Sequence, residues 1–215
     1  TQLPGELNDD IDSIAERLWT YVPTFQGMGF YTMMKIALST DDTNMVDQVA
    51  PICRCINHRL VHRATMDGAH FPPGGTLYRG ALFDDPAHVD FYKNAVGHKI
   101  RIPGLLPTSF RKTKAEEFLS MGYNHGRIGV LFHLIVDPRG ATDQRHLTRN
   151  ANLIRKRAPN LPDEFEYLFT QYSVFTVARF VSSTTPNDRT PHLVFLRPVH
   201  DSKGQPEGLP LAPRS

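Results

Sequence analysis

Apolar side chains recur at helical spacing near the start of the chain. Ile11, Ile14, Ala15, Leu18 and Val22 fall on one face of a helix over residues 10–22. Asp10, Asp12 and Glu16 place negative charge toward its positive N-terminal end, and Pro23 stops it. Phe30, Met33, Met34, Ala37 and Leu38 make a second apolar stretch, with the methionine pair read as core packing. Thr43 reads as the N-cap of a third helix running to about Thr65, kinked or restarted at Pro51.

After Asp67 the pattern changes. Residues 67–75 are a turn-rich linker of Pro and Gly. Short strands are expected at Thr76–Arg79, Lys99–Ile102, Leu105–Ser109, Ile128–Val136, Tyr167–Phe169, Ser173–Ser182 and His192–Val199. The run from Val130 to Val136 is apolar on both faces, so it belongs in a sheet covered on both sides. One helix interrupts the strands, opened by the capping box Thr113-Lys114-Ala115-Glu116. Arg145, His146, Arg149, Arg155, Lys156 and Arg157 read as a solvated basic helix, ahead of a surface for an acidic partner. The layout is α+β: a helical subregion over 1–66, a β-rich core over 76–200, and a flexible tail of Pro, Gly and charge over 201–215.

Composition narrows the function classes. The 215 residues, 40% hydrophobic and 10% aromatic, suit one domain with a helical appendage and a real core. No apolar run approaches a bilayer-spanning length, so no membrane partner is expected. A net charge of +2, and a basic run without interleaved aromatics, give no case for nucleic acid. The chain opens on Thr1 without a charged-then-apolar leader, which leads us to expect a piece of a longer protein. Cys53 and Cys55 are too close in sequence to bridge without strain, and two unpaired thiols fit a reducing compartment. With His58 and His62 they invite a zinc reading. On one straight helix, however, Cys53 lies nearly opposite the other three, so no metal is expected. Neither a dinucleotide-binding Gly-x-Gly-x-x-Gly turn nor a P-loop is present.

Three stretches concentrate chemistry. In Leu77-Tyr78-Arg79-Gly80 a strand carries a guanidinium, which can hold a phosphate bidentately, beside a glycine that admits a flat ligand to the backbone. Leu105-Leu106-Pro107-Thr108-Ser109-Phe110 is an apolar strand ending in two hydroxyls. In Glu164-Phe165-Glu166-Tyr167-Leu168-Phe169 an extended backbone would point Glu164 and Glu166 to one face. Singly, these are an ion-pair partner, turn hydroxyls and a solvated strand edge. Their order along the chain sets them apart.

In that order they resemble the arginine-serine-glutamate class of mono-ADP-ribosyltransferases, which spans binary and cholera-like toxins, bacterial effectors and vertebrate ecto-enzymes. Tyr78-Arg79-Gly80 matches the arginine strand. Pro107-Thr108-Ser109, with the helix after it, matches the Ser-Thr-Ser strand. Glu164-Phe165-Glu166 and the later Val174-Phe175-Thr176-Val177 match the Glu-x-Glu strand and its successor. The resemblance covers roughly residues 76–200 and implies two packed, mostly antiparallel sheets forming a cleft for NAD.

It further implies roles. Glu166 would stabilise the positive ribose formed as nicotinamide leaves. Glu164 would orient an acceptor arginine and take its proton. Arg79, Gly80, Thr108, Ser109 and Phe110 would line the NAD site. The implied partners are NAD and a protein with an exposed arginine, met in a cytosol, as for a secreted bacterial effector in a host cell. Pro107 departs from the pattern, standing where the class has the serine that orders its catalytic glutamate. Thr108 taking over that bond is the favoured reading; an offset register and reduced activity are the others. NAD glycohydrolysis and a catalytically impaired binding module are the competing functions.

Overall fold

The computed structural model describes residues 11–20, 24–25, 28–29, 32–34, 36–37, 43–66, 75–122, 126–136, 148–154 and 166–213. Helix α1 (Ile11–Thr20) buries Ala15 and Trp19, and α2 (Thr43–Met66) continues unbroken past Pro51. Their apolar faces meet around Val49, Cys53, Ile56 and Leu60, with Met34 and Leu168 completing the cluster. Cys53 is buried there while His58 is exposed, so these two of the suspected metal ligands point different ways. A short antiparallel pair, β1 (Thr24–Phe25) and β2 (Met28–Gly29), lies between the two helices in sequence.

The β-rich part contains β3 (Thr76–Phe83), α3 (Pro86–Asn94), β4 (Lys99–Ile102), β5 (Leu106–Ser109), α4 (Lys112–Gly122), β6 (Ile128–Ile135), β7 (Ala151–Leu153), β8 (Glu166–Phe169), β9 (Ser173–Val181) and β10 (His192–Pro198). Their hydrogen-bonded order is β4-β9-β10-β6-β3-β5-β8-β7. All neighbours are antiparallel except β6 and β10. A single residue pair, Tyr78 with Ser109, joins β3 to β5. The strands therefore form two sets, and the inner faces of both contribute to one core. The class is the α+β one expected from the sequence, but the two expected sheets are joined through the Tyr78–Ser109 pair into one eight-stranded sheet.

Strand alternation explains where the apolar residues go. Leu77, Ala81 and Phe83 of β3 join Val130, Phe132 and Leu134 of β6 in that core, with Tyr167 and Phe169 from the other set. On the opposite face, Leu82 and Leu131 pack on Ala115 and Leu119 of α4. β6 is thus covered on both sides, as its continuous apolar run requires. Each fully buried aliphatic side chain of this kind contributes about 1.5–3 kcal/mol.

Three expectations need correction. Helix α3 was not anticipated, although Asp85 caps it by accepting the Ala87 N–H at 2.8 Å and Pro86 fills its first turn. The basic stretch is not a helix where it is described. Residues 151–153 form β7 against β8, and Ala151 and Ile154 are buried; tertiary pairing there outweighs local propensity. Residues 145–147 and 155–157 lie outside the described residues. The third correction concerns the tail, which through Pro213 is bonded to the sheet rather than loose. Arg101 N–H donates to Pro210 O at 2.9 Å, Ala212 N–H donates to Arg101 O at 2.8 Å, and Ala212 is buried in the core. A smaller shift affects α4, which begins at Lys112 and places Thr113 inside its first turn instead of at the cap.

Candidate active site

The three chemistry-bearing stretches fall on β3, β5 and β8, which are consecutive in the sheet. Ser109 stands at the junction, paired with Tyr78 on one side and with Glu166 on the other. Arg79 is half-buried on β3 and reaches across to β5, where its Nη1 donates to the Pro107 carbonyl at 3.1 Å. The proline's own carbonyl thereby gains a charged donor. Behind the arginine, burial pushes the Tyr92 phenol well above its ordinary pKa, and the Arg79 charge pulls it partly back. Tyr92 therefore stays neutral and donates to Pro213 O at 3.3 Å.

Gly80 has a packing reason for lacking a side chain. A Cβ there would sit 2.2 Å from the Ala115 carbonyl oxygen and 2.8 Å from Leu119 Cγ. Both atoms belong to α4, so the glycine lets that helix lie directly on β3. Phe110, just past β5, packs its ring on Tyr167 with centroids 5.7 Å apart.

Thr108 does not take over the serine's role. Its register partner is Tyr167, so its side chain lies on the opposite face of the pleat from Glu166. Its buried hydroxyl donates to the Tyr167 carbonyl at 2.6 Å and ties β5 to β8. Ser109 is the hydroxyl set directly across from Glu166, and its Oγ also accepts the Arg111 N–H at 3.1 Å at the start of α4. Pro107 lies across from Leu168, on the same face as Ser109.

Glu166 is 8% exposed. A carboxylate so far from water is costly unless donors hold its charge. One donor comes from an unexpected direction: Trp19 of α1 donates its indole N–H to Glu166 Oε1 at 2.8 Å, across 147 residues of sequence. Sequence reasoning missed Trp19. Its only signal was position, one helical turn beyond Ala15 on the apolar face of the first helix. Glu164 lies outside the described residues. Among the described residues no group of His, Cys, Asp or Glu is placed to hold a metal ion. What the site offers is a buried carboxylate, an arginine and hydroxyls on three adjoining strands, a combination that stability alone does not favour.

The fold defined by these strands is that of the ADP-ribosyltransferases, as comparison with solved structures shows. The Vis toxin, an ADP-ribosyltransferase from Vibrio splendidus, superposes with a TM-score of 0.64 at 15% identity, over 95% of this chain and 79% of that one. Vis in complex with agmatine gives 0.60 at 15% identity, over 90% and 76%. The ADP-ribosyltransferase HopU1 of Pseudomonas syringae pv. tomato gives 0.59 at 15% identity, over 87% and 76%. No protein-family description and no curated protein matches the sequence.

Proposed function

We propose that this protein cleaves NAD and transfers its ADP-ribose to an arginine side chain of another protein. The observation that carries the reading is the buried Glu166 carboxylate, set across from Ser109, with one strand, β5, between it and the strand of Arg79. In the reaction the bond between ribose C1′ and the nicotinamide nitrogen breaks, and its electron pair leaves with neutral nicotinamide. Positive charge develops on the ribose, and Glu166 stabilises it. Arg79 supplies a guanidinium suited to the pyrophosphate and Ser109 a hydroxyl beside Glu166, while Gly80, Thr108 and Phe110 hold the adjoining strands in place. The acceptor guanidinium attacks C1′ and gives up a proton, which Glu164 receives.

Arginine is the acceptor we favour for two reasons. A glutamate two positions before Glu166 is a base able to orient a guanidinium, and Vis, of the same fold, is known in complex with agmatine, itself a guanidinium compound. We place the action in a host cytosol: both cysteines are free, and Vis is a toxin. Among the described residues no helix is long and apolar enough to cross a membrane.

Incubation with tagged NAD and a cell lysate, followed by mass spectrometry of the labelled residue, tests the proposal. Labelled arginine is expected. Glu166→Gln should lower nicotinamide release by about two to three orders of magnitude. Glu164→Gln should keep nicotinamide release and lose arginine labelling. Labelling of cysteine, asparagine or aspartate would overturn the acceptor. Free ADP-ribose alone would make the protein a glycohydrolase, and no nicotinamide release would make it a binding module.

A further inference from the structure

Glu166 sits on the face of β8 that looks toward the helices, two residues from Leu168, which packs in the α1–α2 cluster. The β5 residues on that same face are Pro107 and Ser109. Pro107 has neither a hydroxyl nor an N–H to offer a carboxylate. Trp19 does have an N–H, is itself only 5% exposed, and delivers it to Oε1 at 2.8 Å. An indole buried in a packed cluster has one rotamer, so its N–H is held at a fixed point.

We infer that Trp19 is a positioning residue for Glu166, fixing the carboxylate from helix α1 through its indole N–H where position 107 has no side-chain donor. The bond engages Oε1 of the carboxylate. It also restricts the glutamate's rotation, so the carboxylate is already aimed when NAD arrives. The helical subregion is thus part of the working site as well as a cover for the sheet. This inference rests on the reading of Glu166 as the catalytic carboxylate.

The test has a structural arm and a kinetic arm. Trp19 is the single tryptophan of the chain, so its indole N–H gives one resonance in a nitrogen-15 correlation spectrum. That resonance should move upfield in Glu166→Gln, where the acceptor loses its charge. An unmoved resonance would mean that the bond is absent in solution and would overturn the inference. Trp19→Phe keeps the ring in the cluster and removes only the donor. Its turnover in nicotinamide release should fall about tenfold to a hundredfold, the usual worth of a hydrogen bond to a charged group, with KM for NAD nearly unchanged.

Ile56→Ala is the control, because it loosens the same cluster without removing a donor. Equal loss of turnover in Trp19→Phe and Ile56→Ala would reduce Trp19 to a packing role and overturn the inference. Full turnover in Trp19→Phe beside an active wild type would sink the inference alone. A wild type that releases no nicotinamide would sink the functional reading first and this inference with it.

Discussion

The two strand sets that meet at Tyr78 and Ser109 are built on different terms. The set from β4 to β3 is held by long ladders, with β3 and β6 paired from Thr76–Ile135 to Phe83–Ile128. Its interior is aliphatic and aromatic. The set of β5, β8 and β7 has short ladders and a polar load. Thr108, Ser109, Thr148, Asn150, Glu166 and Thr170 are all buried on or beside it. Buried polar groups stabilise little even when bonded and cost much when left unpaired. A stability-driven design would not gather them in one place. The longer set therefore serves as the scaffold, and under the proposed function the shorter one would carry Glu166 and Ser109 while β3 contributes Arg79.

Substitutions that separate stability from turnover sharpen this contrast. The largest stability effect is expected in the scaffold. Leu134→Ala empties fully buried volume in the core and should cost about 2–5 kcal/mol. For a chain of this size that lowers Tm by roughly 2–4 °C per kcal/mol, read by thermal denaturation, while turnover per folded molecule stays near wild type. Comparable loss of turnover in the folded fraction would erase the distinction. Glu166→Gln should show the reverse: little change in Tm and a large loss of nicotinamide release.

Thr108→Val tests the polar set by stability. It preserves shape but leaves the Tyr167 carbonyl without its 2.6 Å donor, at a cost of about 1–3 kcal/mol. Because Thr108 faces away from Glu166, nicotinamide release per folded molecule should fall much less than in Glu166→Gln. A loss as deep as that of Glu166→Gln would return Thr108 to the role that its register denies it.

The smallest effect is a pH dependence within the scaffold. Burial holds the imidazoles of His133 on β6 and His192 on β10 below the ordinary histidine pKa. His192 Nδ1 accepts the Ser183 N–H at 2.9 Å, and His133 packs between Tyr78 and Phe195. The fold therefore prefers them neutral, and the unfolded chain takes up protons first as the pH falls below about 6.5. Their contribution is full above that pH and is lost as the pH drops through the folded values. Tm should decline from about pH 7.5 to about pH 5, and the decline should be shallower in His133→Phe.

Much of this was legible in residue order. Periodicity located α1, α2 and the strands from β3 to β10 apart from β7, because the burial of each is decided by its own alternation of side chains. β7 was hidden, since its basic surroundings suggest a solvated helix and only pairing with β8 makes it a strand. Helix α3 is marked in the sequence only by its short Asp85–Pro86 start signal. The tail reads as disordered by composition, yet Arg101 holds its backbone and Ala212 enters the core.

By itself the sequence determined the α+β class, the positions of its principal elements, and the candidates Arg79, Thr108, Ser109 and Glu166. These follow from local patterns, which persist whatever the rest of the chain does. Only the tertiary structure decided which hydroxyl stands across from Glu166, that Thr108 is spent on a β8 carbonyl, and that an indole from α1 reaches the buried carboxylate. Those outcomes depend on strand register and on contacts across as many as 147 residues. A shift of one residue in register turns every side chain to the other face, and no local pattern records which register wins.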